Sequence, residues 1–220
     1  MPTSTVEDYL KRILLEQDRN NGGLASPGRI AGALGVAAGT VTAMMKTLTD
    51  SGLVTYEPYA GVRLTPAGRK LAAHVLRRHR LVELFLVRTM GMDWSEVHRE
   101  AEVLEHVISD RLLERMDEIL GRPSVDPHGD PIPTPAGQVP DVCQESLRTC
   151  ALGERLRVAR VTDQRAEFLQ LLERHGLKPG RWLRILSRDE LTETVEVQPD
   201  EAVSLQLGFR AAERVLVEPA

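Results

Sequence analysis

The chain has 220 residues, of which 42% are apolar and 27% charged, with only eight aromatics. This composition excludes a disordered chain, a collagen-like repeat and a disulfide scaffold, and the length suits two or three small domains or one large one. The net charge of −4 conceals an asymmetry, because residues 1–90 hold 12 Lys/Arg against 7 Asp/Glu while residues 91–220 hold 16 against 25. A basic N-terminal portion ahead of an acidic remainder points to a DNA-binding module followed by a part with a different task.

The first predicted element is a helix. Ser4 and Glu7 have capping-box spacing, Tyr9, Leu10, Ile13 and Leu14 form an apolar stripe, and Asn20 to Gly23 breaks it. Ser26-Pro27 opens a second short helix that Gly35 ends, and a third runs from Ala37 or Ala38 to about Ser51. Two short helices with a tight Gly-containing turn between them predict a helix-turn-helix. The hairpin pattern that follows (Leu53 to Tyr56, a turn at 58–61, then Val62 to Thr65) makes it a winged helix. Its predicted core is Ile30, Ala33, Leu34, Val41, Met44, Met45 and Leu48.

Thr65-Pro66 caps a long helix to about Met90. A second capping box, Asp93 to Glu96, opens a helix predicted to reach Ile108, and Ser109-Asp110 starts a third that stops at Gly121. Apolar residues of these helices, from Leu81 to Leu120, suffice to pack against each other and against a second copy. Residues 122–141 contain six prolines and read as a partly extended linker. Beyond it, strands are predicted near 154–162, 182–187, 192–197, 204–207 and 215–218, with a helix at 166–175. Five short strands in some seventy residues predict a small β-barrel or SH3-like module.

The residues that carry chemistry are His79, Glu83, His98, Glu102, Glu105 and His106. His79 and Glu83 share one helix face, and His98, Glu102 and Glu105 step by four and three with His106 beside them. Several imidazoles and carboxylates held on neighbouring helices suit a divalent metal ion. The other reading is a solvated stripe of i,i+4 pairs, against which stand three of the chain's six histidines in this group. Cys143 and Cys150 are too few for a disulfide framework and fit a reducing compartment. His74, His128 and His175 read as surface residues, and Trp94 and Trp182 as packing. No run of about eighteen apolar residues exists to span a membrane, and MPTSTVEDYLKR lacks a signal pattern, so a cytoplasmic location is expected.

The segments EDYLKRI (7–13), RHRLVELFL (78–86), VHREAEVLEHVISD (97–110) and DPHGDPIP (126–133) resemble the diphtheria-toxin-repressor family of metal-dependent transcriptional regulators. The resemblance covers nearly the whole chain. It implies a mainly α fold with a β-rich C-terminal module: a winged helix-turn-helix at 1–72, a helical metal-binding and dimerisation domain at 73–141 that includes the linker 122–141, and an SH3-like, ferrous-transport-A-like domain at 142–220. It implies one metal site at His79, Glu83 and His98, with Gln164 and Glu167 lent by the C-terminal domain. The second site takes Asp8 with Glu102, Glu105 and His106. Iron-type members carry methionine and cysteine where this chain has Asp8 and Glu102; hard oxygen donors there favour Mn²⁺, with Fe²⁺ as the alternative. Lys11 stands where manganese-type members usually place a second carboxylate.

The third helix matches the family's recognition helix. The resemblance and the residue chemistry together nominate Ala38, Gly39, Thr40, Thr42, Ala43 and Lys46, with Arg29 and the wing residue Arg63, as the DNA-contacting set. The expected function is a homodimeric, metal-activated repressor of manganese-homeostasis genes that binds double-stranded operator DNA. It is not an enzyme and takes no small organic substrate. Rival readings are a ferrous-iron repressor of the same fold, a two-metal hydrolase, which would need an open coordination position in a substrate-sized cleft, and a regulator with an organic effector. In the expected mechanism, repulsion among Asp8, Glu83, Glu102 and Glu105 leaves the first helix mobile until a cation ties it down.

Overall fold

The computed structural model describes residues 3–58, 60–140 and 145–219, so Cys143 lies outside the described residues. The element order is α1 (Ser4–Arg19), α2 (Pro27–Leu34), α3 (Ala38–Asp50), β1 (Val54–Glu57), β2 (Gly61–Leu64), α4 (Pro66–Met90), α5 (Val97–Leu104), α6 (Asp110–Ile119), β3 (Arg155–Val161), α7 (Ala166–Arg174), β4 (Trp182–Asp189), β5 (Thr194–Pro199), β6 (Leu205–Gly208), α8 (Phe209–Ala212) and β7 (Val215–Pro219). The chain forms two compact units. The first takes Met1–His79, Glu105–Val107 and Pro133–Val139, and the second takes Arg80–Leu104, Ile108–Ile132 and Pro140–Ala220.

In the first unit the cap of α1 is Thr3, whose hydroxyl accepts from the Val6 amide at 3.4 Å; Ser4 is already helical. Pro27 opens α2 with its preset φ, and Gly35 closes it in the left-handed region at φ 65°. The axes of α2 and α3 bend by 112°, as a helix-turn-helix requires. Strands β1 and β2 pair antiparallel from Val54↔Leu64 to Glu57↔Gly61, which makes the wing. The core joins Leu10, Ile13 and Leu14 of α1 to Ile30, Val41, Met45 and Leu48, all completely buried. Each such side chain contributes about 1.5–3 kcal/mol by leaving water. Ala33, expected in that core, is exposed, and Leu34 and Met44 are only half-buried. The first turn of α4 rests directly on the α3–β1 loop: a Cβ at Gly68 would stand 1.9 Å from the Leu53 carbonyl oxygen.

The second unit differs from the sequence expectation in two places. Helix α5 begins at Val97 and ends at Leu104 rather than at Ile108. Asp93 does not act through Glu96; its Oδ1 accepts from the Ser95 amide at 2.8 Å and the Ser95 hydroxyl at 2.6 Å. Glu105, His106 and Val107 form a turn, so Glu105 and His106 do not continue the face that carries His98 and Glu102. The second difference is the proline-rich segment. Residues 126–133 are buried apart from half-buried Pro127, so this stretch is packed rather than a solvated spacer. Within the second unit it is pinned by a turn in which the Asp126 amide donates to the Asp130 carbonyl, and by the Val161 amide donating to the His128 carbonyl at 2.8 Å. Gly129, at φ +84°, presses on the β3 backbone, since a Cβ there would stand 2.0 Å from the Ala159 carbonyl oxygen.

The C-terminal module is a five-stranded antiparallel sheet in the order β6-β5-β4-β3-β7, with irregularities between Val158 and Arg160 and between Ile185 and Ser187 that bend it. Leu169 and Leu172 of α7 cover its inner face together with Trp94, which precedes α5. Trp94 therefore packs as expected. Val103 of α5 and Leu112 and Ile119 of α6, expected to pack within these helices or against a second copy, are exposed in the single chain.

Candidate metal centre and nucleic-acid interface

In the first unit the turn 105–107 meets the first turns of α1. His106 Nε2 lies 2.9 Å from Asp8 Oδ1 and 3.4 Å from Glu105 Oε1, and its Nδ1 lies 2.7 Å from Glu7 Oε2. Burial opposes a charge on His106, but the Glu7 hydrogen bond and the charges of Glu105, Asp8 and Glu7 outweigh it, so its pKa is raised. Asp8, Glu105 and His106 each offer one donor atom, all within 4.8 Å of one another. Two carboxylates and an imidazole at that spacing fit a divalent cation of hard or borderline character.

The carboxylates of this cluster are not unopposed, which differs from the expected repulsion among them. Lys11 Nζ sits 2.6 Å from Glu105 Oε1, His79 Nδ1 sits 2.6 Å from Glu105 Oε2, and Arg78 lies 3.8 Å from Glu7. Cations answer the carboxylates, and these ion pairs join α1 to the turn. His79 and Glu105, assigned by resemblance to different sites, are hydrogen-bonded partners. Glu7, expected to act as a capping residue, faces His106 and Arg78 instead. Its position beside Asp8 and four before Lys11 is the sequence signal that marks it, since Glu7 and Lys11 share a face of α1.

In the second unit Glu83, on α4 one turn beyond His79, is 1% exposed and meets two histidines. His98 Nδ1 lies 3.2 Å from its Oε1, and His128 Nδ1 lies 3.7 Å from its Oε2. Glu102 pairs with His98 at 3.6 Å. His128 is not a surface residue. It is 1% exposed, stacks on Trp94 at 5.6 Å, and its Nε2 lies 2.8 Å from the Trp94 carbonyl oxygen. Burial opposes its protonation, yet Glu83 and Asp126 outweigh burial and carry its pKa up to about 9. At 3.7 Å the Glu83 contact exceeds hydrogen-bond length, so this attraction is mainly Coulombic. Asp126 is pushed up to about 7 by burial, then by Asp130 and Glu83. Glu83, Asp126 and His128 thus form a second group of donors within 4.8 Å. Neither Asp126 nor His128 stands out by helical spacing, because both lie in the proline-rich segment.

Gln164 and Glu167 lie just before and at the start of α7, respectively. Gln164 Nε2 donates to Asp130 Oδ2 at 2.7 Å, and Glu167 is exposed at the start of α7. The same buried Asp130 is paired with the Arg80 and Arg160 guanidiniums.

The expected DNA face is open. Arg29, Ala38, Gly39, Thr40, Thr42, Ala43, Lys46 and Arg63 are all exposed in the first unit. The Thr42 hydroxyl turns back to the Ala38 carbonyl at 3.1 Å, Arg63 donates to the Gly22 carbonyl at 2.6 Å, and Arg29 lies 3.7 Å from buried Glu16. No single helix among the described residues is long and apolar enough to cross a membrane.

Comparison with known proteins bears on this arrangement. Residues 1–62 match the N-terminal DNA-binding domain of the iron-dependent repressors, residues 65–134 their metal-binding and dimerisation domain, and residues 145–219 a FeoA domain. A solved manganese-dependent transcriptional repressor in complex with manganese superposes with a TM-score of 0.86 at 38% identity, covering 98% of this chain and 100% of that one. The chain belongs to the iron-dependent repressor family. Among relatives of this family, the regulator MntR of Lysinibacillus sphaericus is 37% identical over 120 residues, 54% of this chain and 84% of MntR. The iron-dependent repressor IdeR of Mycobacterium tuberculosis is 38% identical over 130 residues, 59% of this chain and 55% of IdeR. As a member of the iron-dependent repressor family the protein is a metal-dependent, DNA-binding transcriptional repressor with a dimerisation domain, not an enzyme.

Proposed function

We propose that the protein is a manganese-activated repressor of manganese-homeostasis genes, acting in the cytoplasm as a homodimer on a two-fold operator. The single observation that carries this reading is the Asp8–Glu105–His106 group, in which α1 of the DNA-binding region and the turn after α5 face each other with oxygen and nitrogen donors. A bound divalent ion supplies positive charge and coordination bonds that fasten α1 to this turn. Glu102 is the further carboxylate assigned to this centre, and His79, Glu83 and His98 are assigned to the other. Gln164 and Glu167 keep only the family resemblance in their favour, since Gln164 is engaged by Asp130.

The chain's own groups do the rest. Asp8 and His106 hold the N-terminal turns of α1, while the α2–α3 pair presents small side chains and Lys46 to the major groove and two-fold spacing selects the operator. Exposed Val103, Leu112 and Ile119 supply the apolar surface for a second copy. The working division is 1–72 for DNA, 73–141 for metal and dimerisation, and 142–220 for the SH3-like module, close to the three stretches with family likeness.

Two oxygens where iron-type members place sulfur favour Mn²⁺ over softer ions. The test is a titration of metal-free protein with Mn²⁺, anaerobic Fe²⁺ and Zn²⁺, read by anisotropy of labelled operator-length DNA. Mn²⁺ activates at least as well as Fe²⁺, and the double change Asp8→Met with Glu102→Cys tilts the response towards Fe²⁺. A wild-type response to Fe²⁺ alone overturns the manganese assignment and leaves the iron alternative.

A further inference from the structure

Glu105 has no exposed side-chain surface, and both of its oxygens are engaged, Oε2 by His79 and Oε1 by the Lys11 ammonium at 2.6 Å. Lys11 is itself nearly buried, its side chain 8% exposed, so the pair is dry and its attraction is weakly screened. Oε1 is also the oxygen that faces His106 Nε2 at 3.4 Å, and the same Nε2 faces Asp8. A fixed positive charge therefore stands at the edge of the donor group, on a carboxylate belonging to it.

We infer that Lys11 is the affinity-setting residue of the Asp8–Glu105–His106 centre. Its ammonium is the resident counter-ion of Glu105, and a divalent cation must share or take over that carboxylate. The chain itself supplies a counter-charge to Glu105 within the first unit, through Lys11. Binding also loses the part of the Glu105 attraction that Lys11 already satisfies and meets the repulsion of a like charge at short range. The centre responds at a higher metal concentration than its three donors alone would set. The inference rests on the metal-responsive reading above.

The experiment is calorimetric titration of metal-free, full-length protein with Mn²⁺, with thermal melting of each variant as the fold control. Lys11→Met removes the charge and keeps the length, Lys11→Arg keeps the charge, and His106→Ala removes a donor. The expected result is Mn²⁺ binding about tenfold tighter in Lys11→Met and within about threefold of wild type in Lys11→Arg, with His106→Ala markedly weaker. Should Lys11→Met fail to fold, Lys11→Gln, which keeps a donor without charge, is read in its place with the same expectation. Unchanged or weaker binding in the neutral variant, with His106→Ala still weakened, overturns the role of Lys11 alone. Wild-type binding by His106→Ala overturns the site itself, and the inference with it.

Discussion

The two donor groups treat buried charge in opposite ways. Around Asp8, Glu105 and His106 each carboxylate has a cation close by, and the Asp8 and His106 side chains keep 34% and 15% of their surface open. Around Glu83, Asp126 and His128 every member is buried, and Asp126 is pushed up to about 7 because burial, Asp130 and Glu83 outweigh the cations near it. The first group keeps part of its donor surface within reach of solvent ions. The second is part of a packed core, where a change of charge is a change of stability.

That contrast is broken most directly by paired substitutions. His106→Ala is expected to remove the metal-dependent gain in operator affinity, a gain of about 5–150-fold for a typical coupling, while leaving the melting temperature nearly unchanged. His128→Ala is expected to do the reverse in metal-free protein, lowering stability by about 3 kcal/mol through a cavity beside Trp94 and the loss of one of the two histidines that face Glu83. Denaturant melts and DNA anisotropy on both variants decide it; equal stability losses would erase the distinction.

Gly129→Ala tests whether the proline-rich segment is structural. The new methyl group meets the Ala159 carbonyl, and the backbone is left-handed, so a loss of about 2–3 kcal/mol in urea unfolding is expected. A loss under about 0.5 kcal/mol would return the segment to the status of a free linker.

The pH profile sharpens the comparison further. Asp126 titrates near 7 when folded against 3.8 ordinarily, so the unfolded chain releases this proton first and stability falls as pH rises from about 4 to 7. His128 is raised from 6.5 to about 9, so its contribution is complete below 6.5 and is lost as pH rises through 9. Both act in the same direction, lowering the stability of metal-free protein as pH rises. Asp126→Asn should flatten the lower arm of a stability curve measured by chemical denaturation between pH 4 and 9 and reduce the upper arm, because the Asp126 charge helps raise His128. An unaltered curve would mean that Asp126 is paired more fully than its surroundings indicate.

The smallest effects lie on the DNA face. Lys46→Ala should weaken binding evenly across sequences and reduce the salt slope by about one. Thr42→Ala should cost less than about threefold, because its hydroxyl already bonds the Ala38 carbonyl. A larger loss for Thr42 than for Lys46, read from anisotropy across a salt series, would show that the hydroxyl leaves α3 to read DNA.

Local pattern alone determined most of the architecture. Pro27 and Gly35 delimit α2, Thr65-Pro66 opens α4, and alternation marks all five strands of the C-terminal sheet within two residues, because caps, turns and periodicity act between neighbours in the chain. The histidines and carboxylates of α4 and α5 were legible for the same reason. Tertiary structure alone decided where α5 stops, since Glu105 leaves the helix to meet Lys11 and His79, contacts 94 and 26 residues away. It also buried His128 and Asp126, which the proline-rich composition placed in solvent, and drew Gln164 to Asp130. In each case a buried charge must find its counter-charge wherever the fold brings one, and no spacing along the chain encodes which partner that will be.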